Sequence, residues 1–286
     1  MRFERIDFCA YEKRGDRGYL DRIREKDNNC LHIKAKKLLP KLRTVKDSFD
    51  STLPTDQKNR NRRLNFLRSL CYNKSNNFKK KRKMLMIDVI EHYNKLIDEN
   101  NDPARDPKPL RDYMDKWDGE KFIESMQLDK SKSVLEIGIG TGRLAIKVAP
   151  ICKSLCGIDI SEKTIGRAAE NLSTYQNVKL ICGDFMSFEF EAQFDVIYSS
   201  LTFMHIQDKL SAIQKIASLM TNNGLFVLSI DKNQNESIDM GDRKIKIYPD
   251  NPNDIRSYLS ISKLKIVNEF ETDHAYVTVS TKASLV

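Results

Sequence analysis

Short apolar runs alternate with amphipathic segments along most of the chain after residue 130. Five runs have the length of a strand, at residues 134–137, 155–158, 178–182, 196–199 and 225–230. Helical periodicity fills the intervals, at residues 143–149, 162–175 and 207–220. Because a strand that is buried on both faces has no polar side, this alternation predicts a parallel sheet with helices on both faces. The predicted fold class is α/β.

The last part of the chain departs from this alternation. Residues 244–248 are strand-like and residues 252–260 are helical. Residues 264–270 and 275–280 have the composition of two strands that are joined by a tight turn. Since a short turn joins antiparallel neighbours, we expect a doubly wound, mostly parallel sheet with an antiparallel C-terminal pair at its edge.

Two helical patterns precede the first strand. Apolar residues recur at helical intervals over residues 84–100, which predicts one amphipathic helix. Three prolines then break the chain, and a second helix is expected over residues 110–126. Residues 84–130 are therefore predicted to form a helical cap on a sheet core of residues 131–286.

Charge separates the first 83 residues from the rest of the chain. The 286 residues carry a formal net charge of +9, but residues 1–83 hold 25 Lys and Arg against 10 Asp and Glu, whereas residues 84–286 hold 24 against 30. Low apolar content and a run of five cations at residues 79–83 are typical of disorder. We expect residues 1–83 to be a poorly ordered basic extension, through which any contact with nucleic acid would be made.

Several classes of protein are excluded by the sequence. No apolar run approaches the roughly 20 residues of a membrane span, and the charged residues among residues 1–10 leave no room for a signal-peptide core. The six cysteines give no Cys-x-x-Cys pair, which argues against a zinc knuckle. These features predict a cytoplasmic protein with no membrane span and no metal, and they leave the oligomeric state open.

A glycine-rich turn follows the first strand. Gly138, Gly140 and Gly142 occupy every second position. Without a Cβ, these residues accept unusual torsions and allow a ligand to lie directly on the backbone. The helix that follows points its free N–H groups at the same place, which favours a polar or anionic group there.

Two interpretations of this turn compete. A Gly-x-Gly-x-x-Ala pattern begins at Gly140, and Asp159 ends the next strand, as in a dinucleotide-binding fingerprint. A Glu-x-Gly-x-Gly-x-Gly pattern begins at Glu136 and resembles the first motif of the class I S-adenosylmethionine-dependent methyltransferases. The acidic residue before the first glycine has no part in the dinucleotide pattern.

The resemblance to this family continues in order along the chain. Further segments similar to the family's motifs are residues 156–161, 181–185, 194–200 and 219–227. The likeness covers about residues 84–286, which are thereby identified as a Rossmann-like class I methyltransferase domain with S-adenosylmethionine as its cofactor. Four ordered motifs are far more specific than one glycine-rich turn.

The resemblance also implies roles for particular residues. Asp159 would accept hydrogen bonds from the ribose hydroxyls and Asp184 from the adenine amine, whereas Ser199 would line the methionine portion and Tyr93 would close over the sulfonium. The structural alternatives are that both carboxylates cap turns and that Tyr93 packs against the sheet edge. The implied cofactor-binding residues are Tyr93, Glu136, Gly138, Gly140, Gly142, Asp159, Ile160, Asp184, Phe185 and Ser199.

His205 is the candidate catalytic residue. It follows the fourth strand and resembles a histidine that occupies this position in many small-molecule members of the family. It would act as a general base on a hydroxyl or a protonated amine, with a pocket or helix-entry role as the alternative. Trp117, the only tryptophan, would pack in the core or line the mouth of the substrate pocket.

The end of the fourth strand also bears on the methyl acceptor. Residues 198–201 contain neither the Asn/Asp-Pro-Pro-Tyr/Phe turn nor the Pro-Cys pair of family members that methylate bases in nucleic acid. The leading hypothesis is a methyltransferase that acts on an oxygen, nitrogen or carbon atom of a small metabolite. The alternatives are an RNA or DNA methyltransferase guided by residues 1–83, a nicotinamide-dependent enzyme, and a non-catalytic binding module that keeps the cofactor fold.

Overall fold

The computed structural model describes residues 85–282, and the prediction of a basic extension over residues 1–83 lies outside the described residues. The chain divides into two units, and the helices and strands belong to the unit formed by Leu85–Asp239 and Arg243–Val286. The strands are β1 (Leu85–Ile87), β2 (Ser133–Ile137), β3 (Ser154–Asp159), β4 (Val178–Cys182), β5 (Phe194–Ser200), β6 (Met220–Asp231), β7 (Ser237–Asp239), β8 (Arg243–Lys246), β9 (Leu264–Glu271) and β10 (Ala275–Lys282). The helices are α1 (Val89–Asp98), α2 (Lys108–Met114), α3 (Gly119–Glu124), α4 (Ala145–Val148), α5 (Glu162–Asn171), α6 (Lys209–Leu219) and α7 (Pro252–Ile261).

The main sheet has seven strands in the order β4-β3-β2-β5-β6-β10-β9. The first five of these are parallel to one another, whereas β10 is antiparallel to both β6 and β9. The predicted mostly parallel sheet with an antiparallel C-terminal pair is therefore confirmed. In the dinucleotide-binding order the sixth strand extends the sheet directly, whereas here an antiparallel strand separates β6 from β9.

The strand order reverses beside β2, and this reversal fixes the place of the site. Ile137, the last residue of β2, pairs with Ile158 of β3 on one side and with Ser199 of β5 on the other. The carboxyl ends of these three central strands therefore lie side by side. Ligands of open α/β sheets bind in the crevice at such a point.

Apolar residues fill both faces of the sheet. In β5, Ile197 packs into one core cluster with Phe226 and Ile213, and Tyr198 packs into the other with Phe122. Successive residues of a strand point to opposite faces, so a strand between two helical layers must be apolar throughout. This double burial is the physical cause of the continuous apolar runs in the sequence.

The first predicted helix begins later than expected. Residues 85–87 form β1, which pairs in parallel with β8 in a second sheet of order β1-β8-β7. α1 begins at Val89, and the side chain of Asp88 caps it by accepting a hydrogen bond from the backbone N–H of Glu91 at 2.7 Å. The helical periodicity of residues 84–100 overestimates the helix, because a strand as short as β1 leaves no pattern of its own and pairs with a segment far along the chain.

The second predicted helix is two short helices. The expected helix over residues 110–126 is interrupted by residues 115–118, which lie between α2 and α3. Gly119 has φ of 71°, a conformation that side chains disfavour, and the carboxylate of Asp118 accepts a hydrogen bond from its N–H. The predicted unbroken helix was therefore wrong at this point.

Two kinds of feature are absent from the described residues. None of the helices in residues 85–282 is long and apolar enough to cross a membrane. Within the same residues, His, Cys, Asp and Glu side chains form no group of three or more that could hold a metal ion.

Candidate active site

The glycine-rich turn after β2 forms one wall of the site. Gly138 and Gly140 have φ of 76° and 57°, in the left-handed region. A Cβ at Gly138 would lie 2.0 Å from Oγ1 of Thr202, whereas a Cβ at Gly140 would meet no atom of the described residues within 4 Å. The first glycine is therefore required by packing, and the second borders open space, as a ligand that lies on the turn requires.

Asp159 ends β3 and faces this turn. Its Oδ2 accepts a hydrogen bond from the backbone N–H of Gly140 at 3.0 Å, and its Oδ1 accepts one from the N–H of Ser161 at 3.0 Å. Burial raises the pKa of Asp159 above its usual value, although these hydrogen bonds oppose the shift. Because each carboxylate oxygen can accept more than one hydrogen bond, the group keeps capacity for hydroxyl donors.

Tyr93 and His205 close the opposite side of the site. The hydroxyl of Tyr93 on α1 lies 2.8 Å from Nε2 of His205, which ends the 3-10 turn after β5. Desolvation raises the pKa of Tyr93, and the negative charge of Asp159 raises it further. Asn94, the next residue of α1, accepts a hydrogen bond from the hydroxyl of Ser161 at 2.9 Å, so α1 also lies beside the end of β3 that bears Asp159.

His205 is a neutral imidazole at physiological pH. Desolvation lowers its pKa to about 4, and the charges of His92 and Lys209 add to this effect. Its Nδ1 is buried and has no hydrogen-bond partner among the described residues. The side chain therefore has one nitrogen engaged by Tyr93 and one that is enclosed by the surrounding protein.

Glu136 lies beneath the turn and is buried. The hydroxyl of Tyr198 donates a hydrogen bond to its Oε2 at 2.6 Å, so its partner is a side chain of β5 rather than the amides of the turn. Burial raises the pKa of Glu136 to about 8, against the opposing effects of Tyr198 and Arg143. A carboxyl group with this pKa is mostly protonated at neutral pH.

Stability is expected to depend on pH through Glu136. Glu136 loses its proton at about pH 8 in the folded protein but at about pH 4.5, the ordinary pKa, in the unfolded protein. The stability that this difference provides is therefore fully present below about pH 4.5 and is lost as the pH rises to about 8. Glu136→Gln keeps a neutral side chain of similar shape. Between about pH 6 and pH 9 the wild type should lose about 2–3 kcal/mol more unfolding free energy than the variant in denaturant titrations. Equal losses would contradict a raised pKa.

The other residues that the resemblance implies lie around the same edge of the sheet. Asp184 is exposed after β4, and its Oδ1 accepts a hydrogen bond from the N–H of Met186 at 2.9 Å, beside the buried Phe185. Ser199 is buried, and its hydroxyl donates to the carbonyl of Ile137 at 2.9 Å. Asp184 thus caps a turn and still faces solvent, whereas the Ser199 side chain is used to join β5 to β2.

Gly142 and Ile160 complete the predicted set. A Cβ at Gly142 would lie 3.0 Å from Cδ1 of Leu172, so this glycine allows close packing of the turn against the end of α5. Ile160 is half-buried directly after Asp159. Both residues border the site. Packing explains why residue 142 is a glycine, whereas no comparable contact explains why residue 160 is an isoleucine.

Sequence reasoning missed an ionic cluster that fixes the cap to the site. Arg143, which follows the glycine-rich turn, pairs with Asp118 and, at 3.2 Å, with Asp115. Asp118 also accepts a hydrogen bond from the hydroxyl of Ser200 at the end of β5, at 2.8 Å. A signal was present, since Gly119 directly after Asp118 marks a break between two helices.

Trp117 belongs to the core. It is 3% exposed, and its ring lies 4.6 Å from that of His274 and 5.4 Å from that of Tyr113, between centroids. Its carbonyl accepts a hydrogen bond from the hydroxyl of Ser229 in β6. The tryptophan therefore fastens the segment between α2 and α3 to the sheet.

One family model matches the part of the chain that contains most of these features. Residues 134–224 match the family model described as a methyltransferase domain. The matched residues begin in β2 and include the glycine-rich turn, Asp159, Asp184 and His205. Over these residues the chain is similar to methyltransferase domains, in agreement with the resemblance of its motifs. The match favours this family over the dinucleotide-binding interpretation of the same turn.

Relatives of the methyltransferase domain have been found in bacteria. A protein of Anoxybacillus flavithermus described as an uncharacterized methyltransferase is 35% identical over 121 residues, which are 41% of this chain and 56% of that protein. A protein of Geobacillus thermodenitrificans with the same description is 35% identical over 121 residues, or 41% of this chain and 55% of that protein. The chain thus spans little more than half the length of the curated relatives that it matches.

Solved structures share the fold of the methyltransferase domain. The magnesium protoporphyrin IX methyltransferase of Synechocystis PCC 6803 with bound SAM has a TM-score of 0.52 and 18% identity, over 68% of this chain and 95% of that chain. The cyclase SpnF has a TM-score of 0.56 and 14% identity, over 71% of this chain and 99% of that chain. Because one neighbour is a cyclase, the fold alone does not name the reaction.

Proposed function

We propose that the protein transfers a methyl group from S-adenosylmethionine to an oxygen, nitrogen or carbon atom of a small molecule. The observation that carries the proposal is the meeting of three features at the carboxyl ends of β2, β3 and β5. They are the open backbone of Gly140, the carboxylate of Asp159, and the hydrogen-bonded pair of Tyr93 and His205.

The residues at this edge fit the cofactor. The open space beside Gly140 is one that a Cβ would fill, and the Asp159 carboxylate next to it suits the two ribose hydroxyls. Asp184 and Phe185, after the next strand, would hold the adenine, and Tyr93 would cover the sulfonium. When bound, S-adenosylmethionine supplies a methyl group that is already activated toward nucleophiles, so the main task of the protein is to position the acceptor.

His205 is proposed to take the proton that the acceptor loses. A pKa of about 4 makes the imidazole neutral but weakly basic, so it is suited to accept a proton as the methyl group transfers rather than to ionise a hydroxyl beforehand. The hydrogen bond between Tyr93 and Nε2 fixes the ring.

The end of β5 supports a small acceptor. It contains a buried Ser199 and a Ser200 that is bonded to Asp118, and it lacks the motifs with which related enzymes hold a flipped base. One structural neighbour is named as a methyltransferase of magnesium protoporphyrin IX. The alternative, methylation of RNA or DNA guided by residues 1–83, predicts binding that weakens steeply with salt and is lost when these residues are deleted.

Calorimetric titration with S-adenosylhomocysteine tests the proposed function. The wild type should bind with micromolar affinity, and Asp159→Ala should weaken binding by about 1–3 kcal/mol because ribose hydroxyls lose their acceptor. Asp129→Ala is the matched control. Asp129 also accepts a hydrogen bond from a backbone N–H two residues ahead, that of Ser131 at 2.7 Å. It precedes β2, however, and so lies at the amino-terminal ends of the strands, away from the site.

The outcomes separate the hypotheses. Weakened binding in Asp159→Ala with unchanged binding in Asp129→Ala supports the proposed site. Binding of NAD in place of S-adenosylhomocysteine would favour the nicotinamide hypothesis. Binding of neither would contradict the proposal and favour a fold that is retained for interaction.

A further inference from the structure

A segment of the cap lies across the proposed cofactor site. We define the cap segment as residues 89–106, which are α1 and the loop after it. At one end Tyr93 contacts His205 beyond β5, and at the other the N–H of Ala104 lies 3.4 Å from Oγ1 of Thr141 in the glycine-rich turn. The cap segment therefore bridges the two sides of the space beside Gly140.

Polar contacts attach the cap segment along α5. The side-chain carbonyl of Asn94 accepts a hydrogen bond from the hydroxyl of Ser161 at 2.9 Å, just before α5. One turn further, Asp98 pairs with Lys163 at 2.6 Å in an exposed ion pair. Exposed ion pairs contribute little to stability, so these contacts orient the segment more than they hold it.

Apolar burial adds little to this attachment. His92 is the only buried residue within α1, and Ile90 is 40% exposed. By contrast α6, which packs on the sheet, buries four apolar side chains: Ala212, Ile213, Ile216 and Leu219. Segments with few buried apolar contacts open at lower cost than a core helix. The cap segment is therefore held mainly by polar contacts to buried side chains, which include Arg243, 2.7 Å from Glu99 and 3.2 Å from His92.

Asn171, the last residue of α5, joins the cap segment to the glycine-rich turn. Its amide Nδ2 donates to the carbonyl of Thr141 at 2.9 Å and to both carboxylate oxygens of Asp102, at 3.1 Å and 3.2 Å. Asp102 is 6% exposed, and Arg167 also contacts it at 3.3 Å. The nitrogen must face these groups, because the reverse orientation would place an amide oxygen against three acceptors.

We propose that Asn171 is a positioning residue that latches the cap segment onto the glycine-rich turn and sets the rate at which S-adenosylhomocysteine leaves. The inference rests on the proposed function for the identity of the ligand. A single amide holds both the backbone beneath the ligand and the buried carboxylate of the segment above it. Release of this amide frees the loop around Asp102 and, through α1, loosens Tyr93 from His205. Exit of product after methyl transfer often limits turnover where a lid must open.

Asn171→Asp tests the latch in the full-length protein. The variant has nearly the same shape, but it replaces the donor by a carboxylate that repels Asp102 and the Thr141 carbonyl. Hydrogen–deuterium exchange over residues 89–106 should become at least about tenfold faster in the ligand-free protein, as expected when opening becomes easier by one lost charged hydrogen bond. The dissociation rate of S-adenosylhomocysteine, followed by surface plasmon resonance, should rise by a similar factor.

Asn177→Asp is the matched control. The side-chain amide of Asn177 also donates to a backbone carbonyl, that of Ala149, at 2.9 Å. Asn177 precedes β4, however, and so lies at the amino-terminal ends of the strands, away from the site. This variant should lower the melting temperature about as much as Asn171→Asp while leaving exchange of residues 89–106 and the dissociation rate unchanged. Equal effects of the two variants on these rates would overturn the latch and leave Asn171 a general stability residue.

The two arms of the experiment keep the inference apart from the proposed function. Exchange is measured without ligand, so a wild type that fails to bind S-adenosylhomocysteine contradicts the proposed function, while exchange still decides whether Asn171 holds the segment. Asp102→Ala removes the latch from the side of the cap segment and leaves the bond between Asn171 and Thr141 intact. Should Asn171→Asp not fold, Asp102→Ala must produce the same two accelerations, and unchanged rates in it would refute the latch.

Discussion

Replacement of Gly140 by alanine is expected to abolish measurable binding of S-adenosylhomocysteine while the protein stays folded. The new methyl group would enter the open space beside the turn, where no atom of the described residues lies within 4 Å. The backbone N–H of residue 140 would keep its hydrogen bond to the carboxylate of Asp159, which is 3.0 Å long in the wild type. At φ of 57° the side chain costs about 1–2 kcal/mol of stability, but loss of the ligand's place should weaken binding at least about 100-fold.

Calorimetry and thermal unfolding of Gly140→Ala check this expectation together. A variant that unfolds well before the wild type would mean that the space is needed for packing. A variant that binds S-adenosylhomocysteine normally would place the ligand elsewhere. The combination of a folded chain and lost binding is the result that the open space predicts.

The same substitution two residues earlier should act on folding instead. A Cβ at Gly138 would lie 2.0 Å from Oγ1 and 2.7 Å from Cβ of Thr202, distances at which atoms must move. Overpacking together with the left-handed torsion should lower the unfolding free energy of Gly138→Ala by about 2–5 kcal/mol. Denaturant unfolding, monitored by circular dichroism, measures this loss.

A second substitution separates the two costs at Gly138. The three nearest atoms all belong to the side chain of Thr202, so Thr202→Gly removes the clash and leaves the torsional strain. In a double-mutant cycle, Gly138→Ala should therefore cost about 1–3 kcal/mol less when Thr202 is glycine. Additive effects of the two substitutions would show that the clash does not determine the loss.

The sheet could be predicted from the sequence because each of its strands is buried on both faces. An apolar run such as residues 196–199 needs no knowledge of its neighbours to be recognised. β1 is different, since Leu85–Ile87 is a strand only because it pairs with β8, some 158 residues later in the register that joins Leu85 to Arg243. Short pairings between distant segments leave no local periodicity, so the helical pattern that follows β1 conceals it in the sequence.

The residues of the site likewise differ in whether the local sequence reveals them. The glycine-rich turn and Asp159 are adjacent to strands in sequence, so motifs revealed them and the structure brings them together at 3.0 Å. The hydrogen bond between Tyr93 and His205 joins residues that are 112 positions apart, and the bond between Asn171 and Asp102 spans 69 positions. Such contacts depend on how the cap lies on the sheet, and no spacing in the sequence indicates them.

The position of β10 bears on how the protein is made. β10 lies between β6 and β9, yet Ala275–Lys282 emerges from the ribosome after every other described strand. Until then β6 has an unpaired edge and β9 has no partner in the sheet, while the strands that bear the site can already pair. Unpaired edges invite association with other chains. The nascent protein is therefore most exposed to misassembly just before β10 inserts, when the strands that bear the proposed site are already in place.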